Sequence, residues 1–288
     1  WQHFFGQGLV RTSEDLGVQS DFPVHLDLLN WLASEFPAQR WSSKSMHRLI
    51  VTSNTYKQSS KSSTQLTALD PENRLLARAP RFRMPSLLLR DWALAASGLL
   101  HKQIGGPPVY PYQPDGIWES LAITKERDFS YPASSGHELY RRSLYTFWRR
   151  TVAPANLFDA SNRQACRVRL PITSTPLHAL TTLNDPTWVE AARILAQNTC
   201  NLQNSDQNRL QLAFQTVLCR NPSTAESITL LQGLQKQKQL FENNPAAAQQ
   251  LLAVGASPSQ TTIPLPEHAA WTSLCLTLLN LDEALTRN

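Results

Sequence analysis

The residues best equipped for chemistry are crowded between Glu138 and Asp185, in ELYRRSLYTFWRRTVAPANLFDASNRQACRVRLPITSTPLHALTTLND. Arginines dominate this stretch, with Arg141, Arg142, Arg163 and Arg169 set around Asp159 and Cys166. A guanidinium is a planar, permanently charged fork that matches oxyanions, so such a group either binds an anionic ligand or forms a buried ion-pair network. Both readings stay open here. Hydrolysis would need more: a carboxylate such as Asp159 or Asp185, and a nucleophile or base such as Cys166 or His178, within hydrogen-bond reach of each other. Spacing does not bring them together, and Asp185 already has a sufficient role as a helix cap.

Two other places offer binding chemistry. The run DPENRLLARAPRFR from Asp70 carries Arg74, Arg78, Arg81 and Arg83. It reads as an anion or carboxylate site or as a solvated basic face with salt bridges, and the solvated face is the favoured reading. The segment GGPPVYPYQP from Gly105 is too rich in proline and glycine for regular structure, and it displays Tyr110 and Tyr112 on a stiff extended loop. Those rings could stack on a ligand such as a sugar, or plug a groove between helices. The candidate ligand-binding set is therefore Arg141, Arg142, Asp159, Arg163, Arg169, Tyr110 and Tyr112. No metal set is expected. The seven histidines are unpaired by motif, and Cys166, Cys200, Cys219 and Cys275 fit neither a zinc ribbon, a redox pair nor a haem attachment site, so they read as buried thiols or one disulfide. Gly6 and Gly8 lack the strand-turn-helix setting of a phosphate loop.

The elements that must position these groups read as helices. Val24, Leu28, Trp31 and Leu32 predict a helix after Pro23 that Pro37 stops, and Ser42 caps a second one carrying Met46, Leu49 and Ile50. Ser59 to Thr67 reads as an exposed loop. Pro85 starts a helix whose buried stripe is predicted as Leu88, Trp92, Ala95 and Leu99, with Arg90 and Asp91 off that stripe. After weakly periodic residues 115–136, Tyr140, Leu144, Phe147 and Trp148 predict a helix flanked by Arg141, Arg142, Arg149 and Arg150 and closed near Pro154. Thr175-Pro176 and Asp185-Pro186 are cap-plus-proline starts, the second leading to buried Trp188, Val189, Ala192 and Leu195. Leu210, Phe214, Val217 and Leu218 mark the next helix, and Ser223 with Glu226 forms a capping box. Asn243 to Pro266 reads as a partly mobile connection, followed by an amphipathic helix through Trp271, Leu274, Cys275, Leu278 and Leu285. The prediction is an all-α fold, an irregular multi-helix domain with long Pro/Gly-rich loops.

Bulk properties agree with this class. Hydrophobic residues at 41% and charged residues at 17% suit a globular chain, and 288 residues can bury a sizeable core. A net charge of +5 is too weak and dispersed to argue for nucleic acid. No apolar run approaches roughly 18 residues, so no transmembrane segment is expected. Residues 1–288 are read as a single helical domain, and the start at Trp1 as the mark of a fragment of a longer protein.

Several long motifs, in order, resemble a planctomycete-specific conserved domain of unknown function: FFGQGLVRTSEDLG from Phe4, PVHLDLLNWLA from Pro23, DPENRLLAR from Asp70, LYRRSLYTFWRRT from Leu139, FDASNRQACRVR from Phe158, TSTPLHALTTLNDPTWVEAAR from Thr173 and WTSLCLTLLNLDEAL from Trp271. The chain departs from the usual pattern at Leu87, Ser174 and His178, where the family commonly carries Glu, Asn and Gln. The resemblance implies a C-terminal module of large exported bacterial proteins, often with c-type cytochrome modules and sometimes carbohydrate-binding modules. It implies a periplasmic or cell-surface setting and a link to polysaccharide handling or electron transfer. Any haem c would sit on a neighbouring module, since this chain has no haem motif and no cofactor of its own is expected. The leading expectation is thus a ligand- or partner-binding module for a glycan or an adjacent cytochrome. The alternatives are a carbohydrate enzyme with its site in 138–185 and a purely structural scaffold.

Overall fold

A computed structural model of the chain describes residues 1–114, 116–117, 131–148, 157–159, 168, 172–259 and 262–287. They form two compact units: the described residues among 1–83, 168 and 286–287, and those among 84–159 and 172–285. The described residues are all-α apart from one two-stranded ribbon.

The first unit holds α1 (Gln2–Phe5), α2 (Leu26–Ala38), α3 (Ser43–Thr52), α4 (Thr64–Leu69), β1 (Phe82–Arg83) and β2 (Thr286–Arg287). The strands pair antiparallel, Phe82 opposite Arg287 and Arg83 opposite Thr286. This pairing seats the Arg287 guanidinium 4.4 Å over the Tyr56 ring and 5.7 Å from Phe4, where it donates to the His3 carbonyl at 3.0 Å. Pro37 lies in the last turn of α2, and Ser42 caps α3 by accepting from the Ser45 N–H at 3.3 Å. The loop expected over residues 59–67 ends earlier. Ser63 accepts from the Leu66 N–H at 3.1 Å, and this cap lets α4 begin at Thr64.

The second unit is built around α7 (Pro186–Leu202), whose side chains are buried almost all round. Before it come α5 (Ser86–Ser97) and α6 (Pro176–Asn184); after it come α8 (Asp206–Leu218), α9 (Thr224–Asn243), α10 (Pro245–Leu252), α11 (Leu265–Leu279) and α12 (Asp282–Leu285). Helix α11 lies against both α7 and α9, and α5 against α7. The core contains Trp188 and Trp271, packed among small residues such as Ala192, Ala269 and Ala270 that let the helices approach. Asp185 caps α7 through the Thr187 N–H at 2.9 Å, and the Ser223–Glu226 capping box starts α9, both as predicted. Asn244 caps α10 by accepting from the Ala247 N–H at 3.1 Å, so part of the expected mobile connection is a helix.

Two local expectations are corrected here. The buried face of α5 is Ser86, Leu89, Arg90, Ala93, Leu94 and Ser97, while Leu88 is exposed. This set obeys the same helical period as the predicted stripe, rotated so that Arg90 points inward. The stretch 136–148 is no α-helix: it forms 3-10 turns at Gly136–Tyr140 and Ser143–Tyr145, joined by extended backbone. Its backbone groups find partners elsewhere. The Tyr140 carbonyl accepts from the His101 N–H at 2.9 Å, the Tyr145 carbonyl from the Val109 N–H at 2.8 Å, and the Phe147 N–H donates to the Val109 carbonyl at 2.8 Å. Long-range pairing satisfies the backbone and outcompetes the helical period of the side chains. No helix among the described residues is long and apolar enough to cross a membrane.

Candidate functional site

The polar centre of the second unit is a closed network around Glu190 on α7. Its carboxylate is fully buried and accepts from the Tyr112 hydroxyl at 2.9 Å, the Tyr140 hydroxyl at 2.8 Å and the Ser257 N–H at 2.7 Å. Tyr140 spends its only proton on Glu190, so the Ser257 hydroxyl, 2.8 Å away, donates to Tyr140. Burial pushes both phenols above their ordinary range, and for Tyr112 the charge of Glu190 adds to the rise, which keeps both as donors. Arg193, one turn along α7, lies 3.6 Å from the carboxylate and donates to the Ser257 carbonyl at 2.6 Å. Three segments distant in sequence therefore meet on one carboxylate.

A second buried cation organises the neighbouring turns. Arg90 donates to the Arg141 carbonyl at 2.9 Å and the Leu139 carbonyl at 2.7 Å, and burial lowers its pKa. Arg141 is itself buried: it donates to the Pro107 carbonyl at 2.9 Å and to the Gly105 carbonyl, with its guanidinium 4.0 Å over the Tyr145 ring. The glycine- and proline-rich loop is thus wrapped on an arginine.

The remaining candidates are spread over the second unit. Arg142 is half exposed and pairs with Asp91 at 3.2 Å. Tyr110 stacks on Phe147 at 4.8 Å between ring centres and meets Tyr131 edge-on at 5.5 Å. Asp159 accepts from the backbone N–H and hydroxyl of Thr173, each at 2.7 Å. His178 is buried against Phe158, with ring centres 4.0 Å apart. Arg163, Arg169 and Cys166 lie outside the described residues, as do Arg149 and Arg150. Cys200 and Cys275 are buried free thiols and Cys219 an exposed one; burial raises the Cys200 thiol to about 11, far from the thiolate needed for reactivity.

An open recess lies instead in the first unit. A cleft of about 420 Å³ is lined by Arg11, Arg74, Arg78 and Arg81 together with aromatic rings. Phe22 is 77% exposed at this cleft, while Trp1 and Phe5 stack at 4.3 Å within it. The wall is fixed by backbone contacts. Asp70 accepts from the N–H groups of Arg74 and Leu75, both at 2.9 Å, which hold its carboxyl below the usual range. His25 donates from Nε2 to the Arg74 carbonyl at 2.8 Å, since a carbonyl can only accept. Arg78 donates to the carbonyls of Asp70 at 3.0 Å and Pro71 at 2.9 Å, and Arg11 pairs with Glu72 at 2.9 Å.

Three of these arginines belong to the run that reads from sequence as a solvated basic face or an anion site. Its partners His25, 49 residues from Arg74, and Arg11, 61 residues from Glu72, lie far upstream with Phe22, and nothing local links them to that run. Arg83 of the same run lies in β1.

Residues 1–234 match the model of a family described as PSD1, protein of unknown function (DUF1553). No curated protein and no solved structure matches the chain.

Proposed function

We propose that this chain, which belongs to the PSD1 (DUF1553) family, is a ligand-binding module and that its ligand is a glycan held in the cleft of the first unit. The observation that carries this reading is the lining of that cleft, where exposed and half-buried aromatic rings stand beside guanidinium groups. Aromatic faces stack on the C–H surface of a sugar ring, while arginine forks donate to its oxygens; such mixed walls suit carbohydrate better than a purely apolar ligand. The periplasmic or cell-surface setting, and a c-type cytochrome as neighbour, follow from the resemblance described above and belong to the same proposal. Polysaccharide handling would then mean that this module holds the glycan while chemistry resides elsewhere in the longer protein.

The scaffold reading also has an observation behind it, and it applies to the second unit. Glu190, Arg90 and Arg141 each tie together segments distant in sequence and leave little capacity for an outside ligand. Titrating the chain with a panel of oligosaccharides, followed by tryptophan fluorescence and calorimetry, tests the binding proposal. Saturable binding that Phe22→Ala weakens supports it; a panel without binding at millimolar sugar overturns it.

A further inference from the structure

Resting on the glycan reading, we infer that the sugar bound in this cleft carries an oxyanion, a carboxylate or a sulfate ester, and that Arg74 is the residue that reads it. Charge comes first. The cleft lining offers four guanidiniums against the single carboxylate of Glu72. Two acids outside that lining also act on these arginines: Asp70 lies close enough to feel Arg78 and Arg74, and Asp21 close enough to feel Arg11.

The arginines are not equivalent. Arg11 is matched by Glu72, so its charge is cancelled locally. Arg78 is held by two backbone carbonyls, which position it without neutralising it. Arg74 has its backbone pinned at both ends, its N–H on Asp70 and its carbonyl on His25. Its side chain is exposed and has no hydrogen bond or ion pair among the described residues. The nearby acids are directed elsewhere, Asp70 to backbone N–H groups and Glu72 to Arg11. A fixed backbone with an unengaged guanidinium is the arrangement that reads an incoming anion, because the ordering cost is partly met before binding. Phe22, also exposed on the cleft, supplies a ring face that does not depend on charge.

The experiment compares three pentasaccharides of equal length on the 288-residue chain: a neutral hexose oligomer, a hexuronate oligomer and a sulfated hexose oligomer. The variants are Arg74→Gln and Phe22→Ala; both positions are exposed, and circular dichroism melts confirm the fold. The charged oligomers should bind at least tenfold more tightly than the neutral one, with a preference that shrinks between low and high salt. Arg74→Gln should abolish that preference, and Phe22→Ala should weaken all ligands alike. Whichever charged oligomer keeps the larger preference distinguishes carboxylate from sulfate. Equal binding of neutral and charged oligomers, unaffected by Arg74→Gln, overturns the inference and leaves the glycan reading standing. Absence of binding by all three overturns both.

Discussion

Gly255 lies so close to Glu190 that a β-carbon on it would sit 2.3 Å from the carboxyl carbon. The loop after α10 therefore closes over this carboxylate through a residue without a side chain. Gly255 also has φ of +92°, a region that side chains rarely adopt. A carboxyl at the end of a free side chain could swing away, but this one is held by Tyr112, Tyr140 and the Ser257 N–H. Gly255→Ala should therefore cost about 2–4 kcal/mol, from backbone strain plus the loss of at least one of these bonds. Gly136→Ala is the control, because φ there is +59° but nothing lies within 4 Å of the added carbon. It should cost only about 1 kcal/mol. Equal losses for the two variants in urea unfolding would remove the contact with Glu190 as the cause.

Arg90 gives the second prediction. Its guanidinium satisfies the carbonyls of Leu139 and Arg141 in a region only 1% exposed. Arg90→Met fills the volume but leaves those carbonyls without their donor, and it should destabilise by about 3–5 kcal/mol. Arg90→Lys should recover little, since one ammonium cannot reproduce the fork. Hydrogen exchange should quicken at the His101 and Val109 amides, which pair with the same turns. A loss below about 1 kcal/mol for Arg90→Met would contradict this role.

These two sites also show what the sequence reveals and what it hides. Ser42, Asp185 and the Ser223–Glu226 pair were legible because a cap is settled within four residues. The all-α class was legible from helical periodicity. Arg90 was not, because the period of α5 fits two faces, and only carbonyls about fifty residues downstream make the inward cation tolerable. The turns at 136–148 hid for the same reason: Tyr140, Leu144, Phe147 and Trp148 keep a helical spacing while their backbone pairs with 101 and 109. In the cleft, the arginine run after Asp70 was visible and its companions Arg11, Phe22 and His25 were not.

Cys219 closes α8 in the left-handed conformation, with φ of 57°. A β-carbon is strained there, and the thiol is exposed and unpaired, so nothing is lost with it. Cys219→Gly should raise stability by about 1 kcal/mol, the strain relieved less the extra freedom of an unfolded glycine. Cys219→Ala should leave stability within about 0.5 kcal/mol, since it keeps the β-carbon. A thermal midpoint that falls with glycine would show that the thiol contributes more than its geometry implies.

Arg220 holds both Glu226 and Glu283 at 2.7 Å, and this triad carries the acid dependence of the C-terminal helices. Hydrogen bonds from Arg220, then from the Ser223 N–H, lower Glu226 to about 2, and Arg220 lowers Glu283 as well. The folded value lies below the unfolded one, so this contribution is fully present above an ordinary carboxylate pKa near 4.5 and is lost as pH falls towards 2. The side chains are 36–39% exposed, so solvent screening keeps each pair to under about 1 kcal/mol. Glu226→Gln retains an acceptor for the Ser223 N–H and removes the charge together with one of the two oxygens that accept from Arg220. Its cost in urea unfolding should be up to about 1 kcal/mol near pH 7, shrink as pH falls below about 4 and vanish near pH 2. Raising the salt concentration at pH 7 should shrink it too. A difference between the two proteins that stays constant from neutral to acid would mean that the cap, and not the ion pair, is what Glu226 supplies.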